Sequence, residues 1–151
     1  MTKAEPLRAV PASIDGWNGR WMWNAATAVF DNPVHRHAWV RQVQDVTISG
    51  ERLLLKVMQT FANGKQRSWT WDGAFDGIPR SMAWDDDGTP AAFIAFVLLK
   101  DNVVSDAVFG VDDLFFGSEY FVLDGDNYKV WGRSTTAGKV YDYFEEWDRI
   151  A

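Results

Sequence analysis

The chain contains no cysteine. No disulfide can staple it, no thiolate can serve as a nucleophile, and no cysteine-ligated zinc can be built. Histidine is almost as scarce, with His35 and His37 the only two. Basic residues are in the minority, 15 Lys and Arg against 21 Asp and Glu, giving a net charge of −6 and a pI near 4.8. No Lys/Arg cluster appears, so a phosphate-tracking surface and a nucleic-acid partner are set aside. Long apolar runs are missing too. The longest, AAFIAFVLL at Ala91–Leu99, is too short to cross a bilayer. The first residues, MTKAEPLRAVPASIDGW, lack the apolar segment of a signal peptide. The expectation is a cytoplasmic protein with no membrane partner. No nucleophile elbow, phosphate loop or dinucleotide fingerprint is present, and no cofactor is expected.

What the sequence has in abundance is aromatic surface: 9 Trp, 10 Phe and 4 Tyr among 151 residues. With 47% apolar residues the composition is that of a globular chain, long enough for one domain with a sizeable core. Aromatic rings fill cores, and they also wall ligand pockets.

The pattern is that of short strands divided by turn chemistry. RWMWN alternates. HAWVRQVQDVTIS and RLLLKVMQTF follow, and Asn63-Gly64 before QRSWTWDG is a strong hairpin signal, because both residues accept positive φ. IPRSMAW, AAFIAFVLLK, NVVSDAVFG, EYFVLDG, YKVWGRSTT and KVYDYFEEWD continue the style. The turns between them are marked by Asp72-Gly73, Asp87-Gly88, Asp101-Asn102, Asp124-Gly125 and Ala137-Gly138. NAATAVFDNP is ambiguous and could form a short helical turn before Pro33. The organisation expected is an N-terminal arm over 1–16 and one domain over 17–151. About eight to ten strands joined by tight turns predict an all-β, up-and-down antiparallel barrel, which removes sheet edges and can hold one small ligand.

Three stretches carry a resemblance to lipocalin-like bacterial domains. GRWMWNAATAVF resembles their opening G-x-W strand, with an Asn and a Phe following. Phe61 to Pro79, F-x-NGK-x-x-x-W-x-W-x-G-x-FDG-x-P, looks like their middle. YKVWGRSTTAGKVYDYFEEWDRI looks like their closing hairpin. The resemblance spans roughly Gly19 to Ile150 and implies a cup-shaped barrel rather than a particular reaction. It also implies a structural plug, in which Trp21 packs beneath Arg149 at the closed end, a favourable cation–π geometry.

The candidate ligand contacts are Trp23, His35, His37, Trp69, Trp71, Trp84, Tyr143 and Glu145. Trp21/Trp23 and Trp69/Trp71 each share a strand parity, so each pair lines one face. Facing inward, they would stack on an apolar ligand. Facing outward, they would make a dimer interface. Within that framework, Trp23 is the preferred pocket candidate. His35 and His37, at i and i+2, would face one side on a strand, but a metal would need a third ligand that no spacing nominates. They are expected on a loop, NAATAVFDNPVHRH, over the open mouth. Glu145 shares a side with Tyr141, Tyr143 and Trp147. It is either an inward carboxylate suited to acid–base work or a rim charge that reaches water. WDDDG and DGDN lack the spacing of a calcium loop and read as turns.

Three functions are consistent with these features. The first is a barrel that binds a small apolar or aromatic molecule. The second is a small barrel enzyme (an isomerase, cyclase or lyase) using His35, His37 or a buried carboxylate. The third is a dimerising protein with a filled barrel. An enzyme needs two or more polar groups converging in a pocket, a binder needs a cavity, and the interaction protein needs an apolar exterior.

Overall fold

The computed structural model describes residues 14–31, 35–111, 115–136 and 138–151. Their strands are β1 (Gly19–Phe30), β2 (Trp39–Ser49), β3 (Arg52–Phe61), β4 (Gln66–Ala74), β5 (Arg80–Trp84), β6 (Pro90–Lys100), β7 (Val103–Phe109), β8 (Phe115–Asp124), β9 (Asn127–Thr136) and β10 (Lys139–Arg149). Each pairs antiparallel with its neighbours in sequence, and β1 also pairs with β10, which closes the barrel. The all-β, up-and-down antiparallel barrel expected from the turn signals is the architecture found. Residues 1–13 of the expected arm lie outside the described residues, and Ile14–Trp17 forms a short 3-10 helix.

Alternation along the strands decides what faces in. On β3, Leu53, Leu55, Val57 and Gln59 are buried while Arg52 and Lys56 are exposed. On β10, Tyr141, Tyr143, Glu145 and Trp147 are buried together, as a side-chain period of two requires. The β3–β4 turn forms where expected, with Gly64 at φ +82° and the Asn63 side chain accepting from the Lys65 N–H at 3.0 Å.

Two segments depart from expectation. Asp72-Gly73, expected to mark a turn, lies inside β4, where the two residues pair with Leu54 and Leu53 of β3. NAATAVF is neither a helical turn nor a mouth loop. It is the second half of β1. A bulge between Asn24 and Val29 shifts the register, and pairing with β10 resumes at Val29–Phe144 and Phe30–Tyr143. β-Branched Thr27 and Val29 suit a strand, and the Thr27 hydroxyl accepts from the Glu146 N–H at 2.8 Å. Only the residues between Phe30 and Trp39 connect β1 to β2.

One end of the barrel is sealed. Trp17 in the 3-10 helix donates from Nε1 to the Asp101 carbonyl at 2.8 Å, reaching the β6–β7 turn. Trp21, fully buried, donates to the Trp17 carbonyl at 2.9 Å. The Arg149 guanidinium lies 4.3 Å from the Trp21 ring centroid. Its nitrogens also donate to the carbonyls of Asn18 and Gly16, the latter at 2.5 Å, and to Asp126 at 2.8 Å. Gly19 makes room for this clamp. At φ +138°, a Cβ there would sit 2.5 Å from Arg149 Nη1 and 2.7 Å from the Ala151 carbonyl oxygen. The glycine of the G-x-W motif is therefore needed both for its backbone angle and for the guanidinium beside it.

Candidate functional site

The inward faces do not fill the barrel. They enclose a cavity of about 350 Å³, well above the volume of a single water. Much of its wall is apolar: Trp69, Met82, Trp84, Ile94, Phe96, Val108 and Phe121 line it, with Trp17 and Tyr128 on the side of the sealed end. Tyr128 stacks on Trp147 at 5.6 Å and meets Trp21 edge-on at 4.9 Å, so its ring is fixed from both sides.

Polar groups are distributed unevenly around this cavity. β2 and β3 contribute amides, with Gln59 Nε2 donating to Gln42 Oε1 at 2.6 Å across a directly opposed pair. β7, β8 and β10 contribute carboxyls. Asp106 and Glu119 stand directly opposite each other, Glu119 opposes Gly132 on β9, and Gly132 opposes Tyr143 on β10. The Tyr143 ring lies over Gly132, where a Cβ would come within 2.3 Å of Cζ. From that position its hydroxyl donates to Glu119 Oε2. The absence of a side chain at residue 132 thus lets a tyrosine from the next strand brace a carboxylate two strands away.

Like charges directly opposite each other in a dry setting cannot both ionise cheaply. Burial pushes the Asp106 carboxyl well above the usual carboxylate range, and the charge of Glu119 adds to this. Burial raises Glu119 as well, partly offset by the Tyr143 hydroxyl. Asp106 is 7% exposed, lines the cavity, and its Oδ1 has no hydrogen-bond partner among the described residues. Burial also raises the Tyr143 and Tyr128 phenols far above their ordinary value, with the nearby carboxylates adding to the effect.

A second polar group lies alongside. His37 Nε2 is hydrogen-bonded to Glu145 Oε1 at 2.6 Å, and Nδ1 to the Tyr141 hydroxyl at 3.1 Å. Glu145 Oε2 accepts from Trp147 Nε1 at 2.8 Å. The imidazole is caged by rings. It stacks on Trp39 at 4.6 Å and meets the edges of Tyr143, Phe30 and Trp23 at 4.7, 5.2 and 5.6 Å. Glu145 is 3% exposed, so of the two placements open to it the structure has the inward one, not the rim.

The candidate residues fall into two groups. His37, Trp69, Trp84, Tyr143 and Glu145 line the cavity. Trp23, His35 and Trp71 are not among its walls. Trp23 packs against His37 behind the wall. Trp71 is fully buried in the core, and its Nε1 donates to the carbonyls of Arg80 and Ile94 at 3.1 and 3.0 Å. His35 turns from His37 toward Asp31, with Nδ1 3.7 Å from that carboxylate, and leans on Tyr141. The two histidines therefore do not converge, because the segment carrying them is not a strand. Among the described residues no group of three or more His, Asp or Glu side chains could hold a metal ion.

Asp106, Glu119, Trp39, Gln42 and Gln59 belong to the cavity and were not singled out from the sequence. In NVVSDAVFG, Asp106 lies in phase with Val104 and Val108, which was the one available signal.

No protein-family model matches the chain, and no curated protein matches it. Solved structures do. A mutant of the fluorescent protein UnaG is 9% identical, with a TM-score of 0.59, covering 91% of this chain and 99% of that one. A zebrafish ileal bile acid-binding protein in complex with cholic acid is 8% identical, with a TM-score of 0.54, covering 89% and 99%. The extracellular fatty acid binding protein As-p18 is 13% identical, with a TM-score of 0.52, covering 89% and 96%. At these identities the likeness is one of fold, and the fold is that of the lipocalin and fatty-acid-binding type of closed β-barrel.

Proposed function

We propose that this barrel binds a small, largely apolar or aromatic molecule in its interior. The observation that carries the reading is the cavity of about 350 Å³, walled by Trp, Phe and Met side chains in a barrel sealed at one end. Barrels of like fold include an ileal bile acid-binding protein in complex with cholic acid and an extracellular fatty acid binding protein, which supports the reading. The test is a thermal-shift and tryptophan-fluorescence screen against apolar and aromatic compounds. A true ligand at a hundredfold excess over its Kd stabilises by about 2.7 kcal/mol, which for a chain of this size raises Tm by roughly 5–10 °C. Trp69 and Trp84 line the cavity, so emission should shift with binding. A panel in which no compound class changes Tm or emission would refute the proposal.

A second reading is favoured by one observation. Asp106, Glu119, Tyr143, Glu145 and His37 converge on the cavity, and the Asp106–Glu119 pair favours keeping a proton that a simple apolar cup has no use for. That is the provision an isomerase, cyclase or lyase would need for acid–base work. Mass analysis of a bound compound after incubation separates the two. Recovery of unchanged compound supports binding, and conversion that Asp106→Asn abolishes supports catalysis.

The interaction reading required a filled barrel, and the interior instead holds a cavity. Self-association retains one supporting feature. Val97, Ser105, Tyr120, Trp131, Phe144 and Val29 oppose one another in register across the outer face. Tyr120 and Trp131 in this row are about half exposed (54% and 47%).

A further inference from the structure

We infer that the cavity selects apolar molecules carrying a cationic nitrogen, held between Asp106 and Glu119, over molecules carrying a carboxylate. The inference rests on the binding reading above and names the chemistry of its ligand.

The charge inventory of the wall is one-sided. Among the described residues three carboxyls line the cavity: Asp106 on β7, Glu119 on β8 and Glu145 on β10. No lysine lines the cavity among the described residues. Among the described residues Arg133 is the sole guanidinium at the wall, and its Nε and Nη2 are committed to Asp142 at 2.7 and 3.1 Å on the exposed side. His37 is the remaining basic group, and both its ring nitrogens are already bonded, to Glu145 and Tyr141. An anionic ligand head would meet carboxylates with no spare cation to pair with.

An independent observation points the same way. Asp106 is more than nine-tenths buried, and its Oδ1 lacks any partner among the described residues. Buried acceptors are normally satisfied. Glu145 is satisfied on both oxygens by His37 and Trp147, and Glu119 Oε2 by Tyr143. Among the carboxyl oxygens so accounted for, Asp106 Oδ1 is the one without a partner, on a residue that lines the cavity beside its partner carboxyl. An ammonium or protonated ring nitrogen supplies the N–H donors this acceptor lacks. It also replaces the proton the carboxyl pair otherwise retains, so binding of a cation releases a proton from the pair.

The groups facing the pair are Tyr143 and Glu145 on β10, and His37 on the lead-in to β2. β6 presents Ile94 and Phe96, and β9 presents Gly132 at this level. Nothing in this set supplies a spare positive charge. The rest of the cavity, walled by Trp69, Trp84 and Phe121, suits an aryl body.

The experiment uses three probes with one body: naphthylmethylamine, naphthylmethanol and naphthylacetic acid, titrated calorimetrically into the full chain near neutral pH. A charge-assisted hydrogen bond to a buried carboxylate predicts that the amine binds about tenfold or more tighter than the alcohol, with the acid weakest. Amine affinity should rise with pH while alcohol affinity stays level. Asp106→Asn should reduce the amine-to-alcohol ratio to about one while alcohol binding persists. That ratio is a readout a purely structural role would not move. An alcohol or acid that binds as tightly as the amine overturns the inference and leaves the binding reading standing. Absence of binding by all three probes overturns both.

Discussion

Arg149→Ala tests how the barrel is held shut. Arg149 makes three kinds of contact at the sealed end. A guanidinium 4.3 Å from a buried indole centroid contributes roughly 0.5–2 kcal/mol. Its hydrogen bonds to the carbonyls of Gly16 and Asn18 are charge-assisted, each in the range of about 1.5–3 kcal/mol when buried. The side chain is 23% exposed, which favours the lower end of both ranges. The Asp126 partner is 86% exposed, so that ion pair adds about 0–1 kcal/mol at most. Truncation also leaves two carbonyls without donors. The expected loss is about 3 kcal/mol for Arg149→Ala. Arg149→Lys should lose about 2 kcal/mol, because an ammonium cannot serve both carbonyls and lie flat on the ring. Asp126→Ala should lose no more than about 0.5 kcal/mol. Urea unfolding read at constant m-value measures all three. A loss below about 1 kcal/mol for Arg149→Ala, or an Asp126→Ala loss as large as that of Arg149→Ala, would refute the account of the clamp.

Other outcomes follow from the same geometry. Gly132→Ala places a Cβ 2.3 Å from Tyr143 Cζ. It should destabilise the protein by about 1–3 kcal/mol, measured by urea unfolding, and Tyr143→Leu in the same chain should recover part of the loss. The Asp106 carboxyl is raised in the folded state, so the stability it contributes is fully present below its unfolded value of about 3.9 and is lost as pH rises toward the folded value. Asp106→Asn removes that loss, so its stability relative to the parent should climb from about pH 4 upward; a difference independent of pH would contradict the reading. On the outer surface, the Arg80 guanidinium holds the Asp76 carboxyl down to about 2. A carboxyl-carbon NMR titration should find it there, with its contribution present above about 3.9 and lost as pH falls toward 2.

The ten strands were legible because turn residues and hydrophobic alternation agreed at nearly every boundary. The inward side of β10 was legible too. Tyr141, Tyr143 and Trp147 share a parity, and that parity carries Glu145 with them. The second half of β1 was harder to place. A bulge interrupts its pairing, and the small residues Ala25, Ala26 and Ala28 suit a turn as well as a strand. Asp106 and Glu119 were not legible as inward groups for a related reason. In NVVSDAVFG and EYFVLDG both faces are largely apolar, so neither parity declares itself inward. Trp23 and Trp71 were expected to touch ligand because parity tells inside from outside. It cannot tell a cavity wall from the layer packed behind it.

The barrel's connectivity also bears on how it folds. Every strand pairing joins neighbours in sequence except β1–β10. Hairpins close short loops, whereas the β1–β10 seam must bring together the two ends of nearly the whole chain. It is the costliest contact in entropy and is expected to form after the rate-limiting step. Contacts across that seam, such as Arg149 on Trp21 and the Thr27 hydroxyl on the Glu146 N–H, then govern how fast the barrel opens and hardly affect how fast it forms. In a chevron plot, weakening the seam should lift the unfolding limb and leave the folding limb in place. The lifetime of the closed barrel would be set by a few side chains near its two ends.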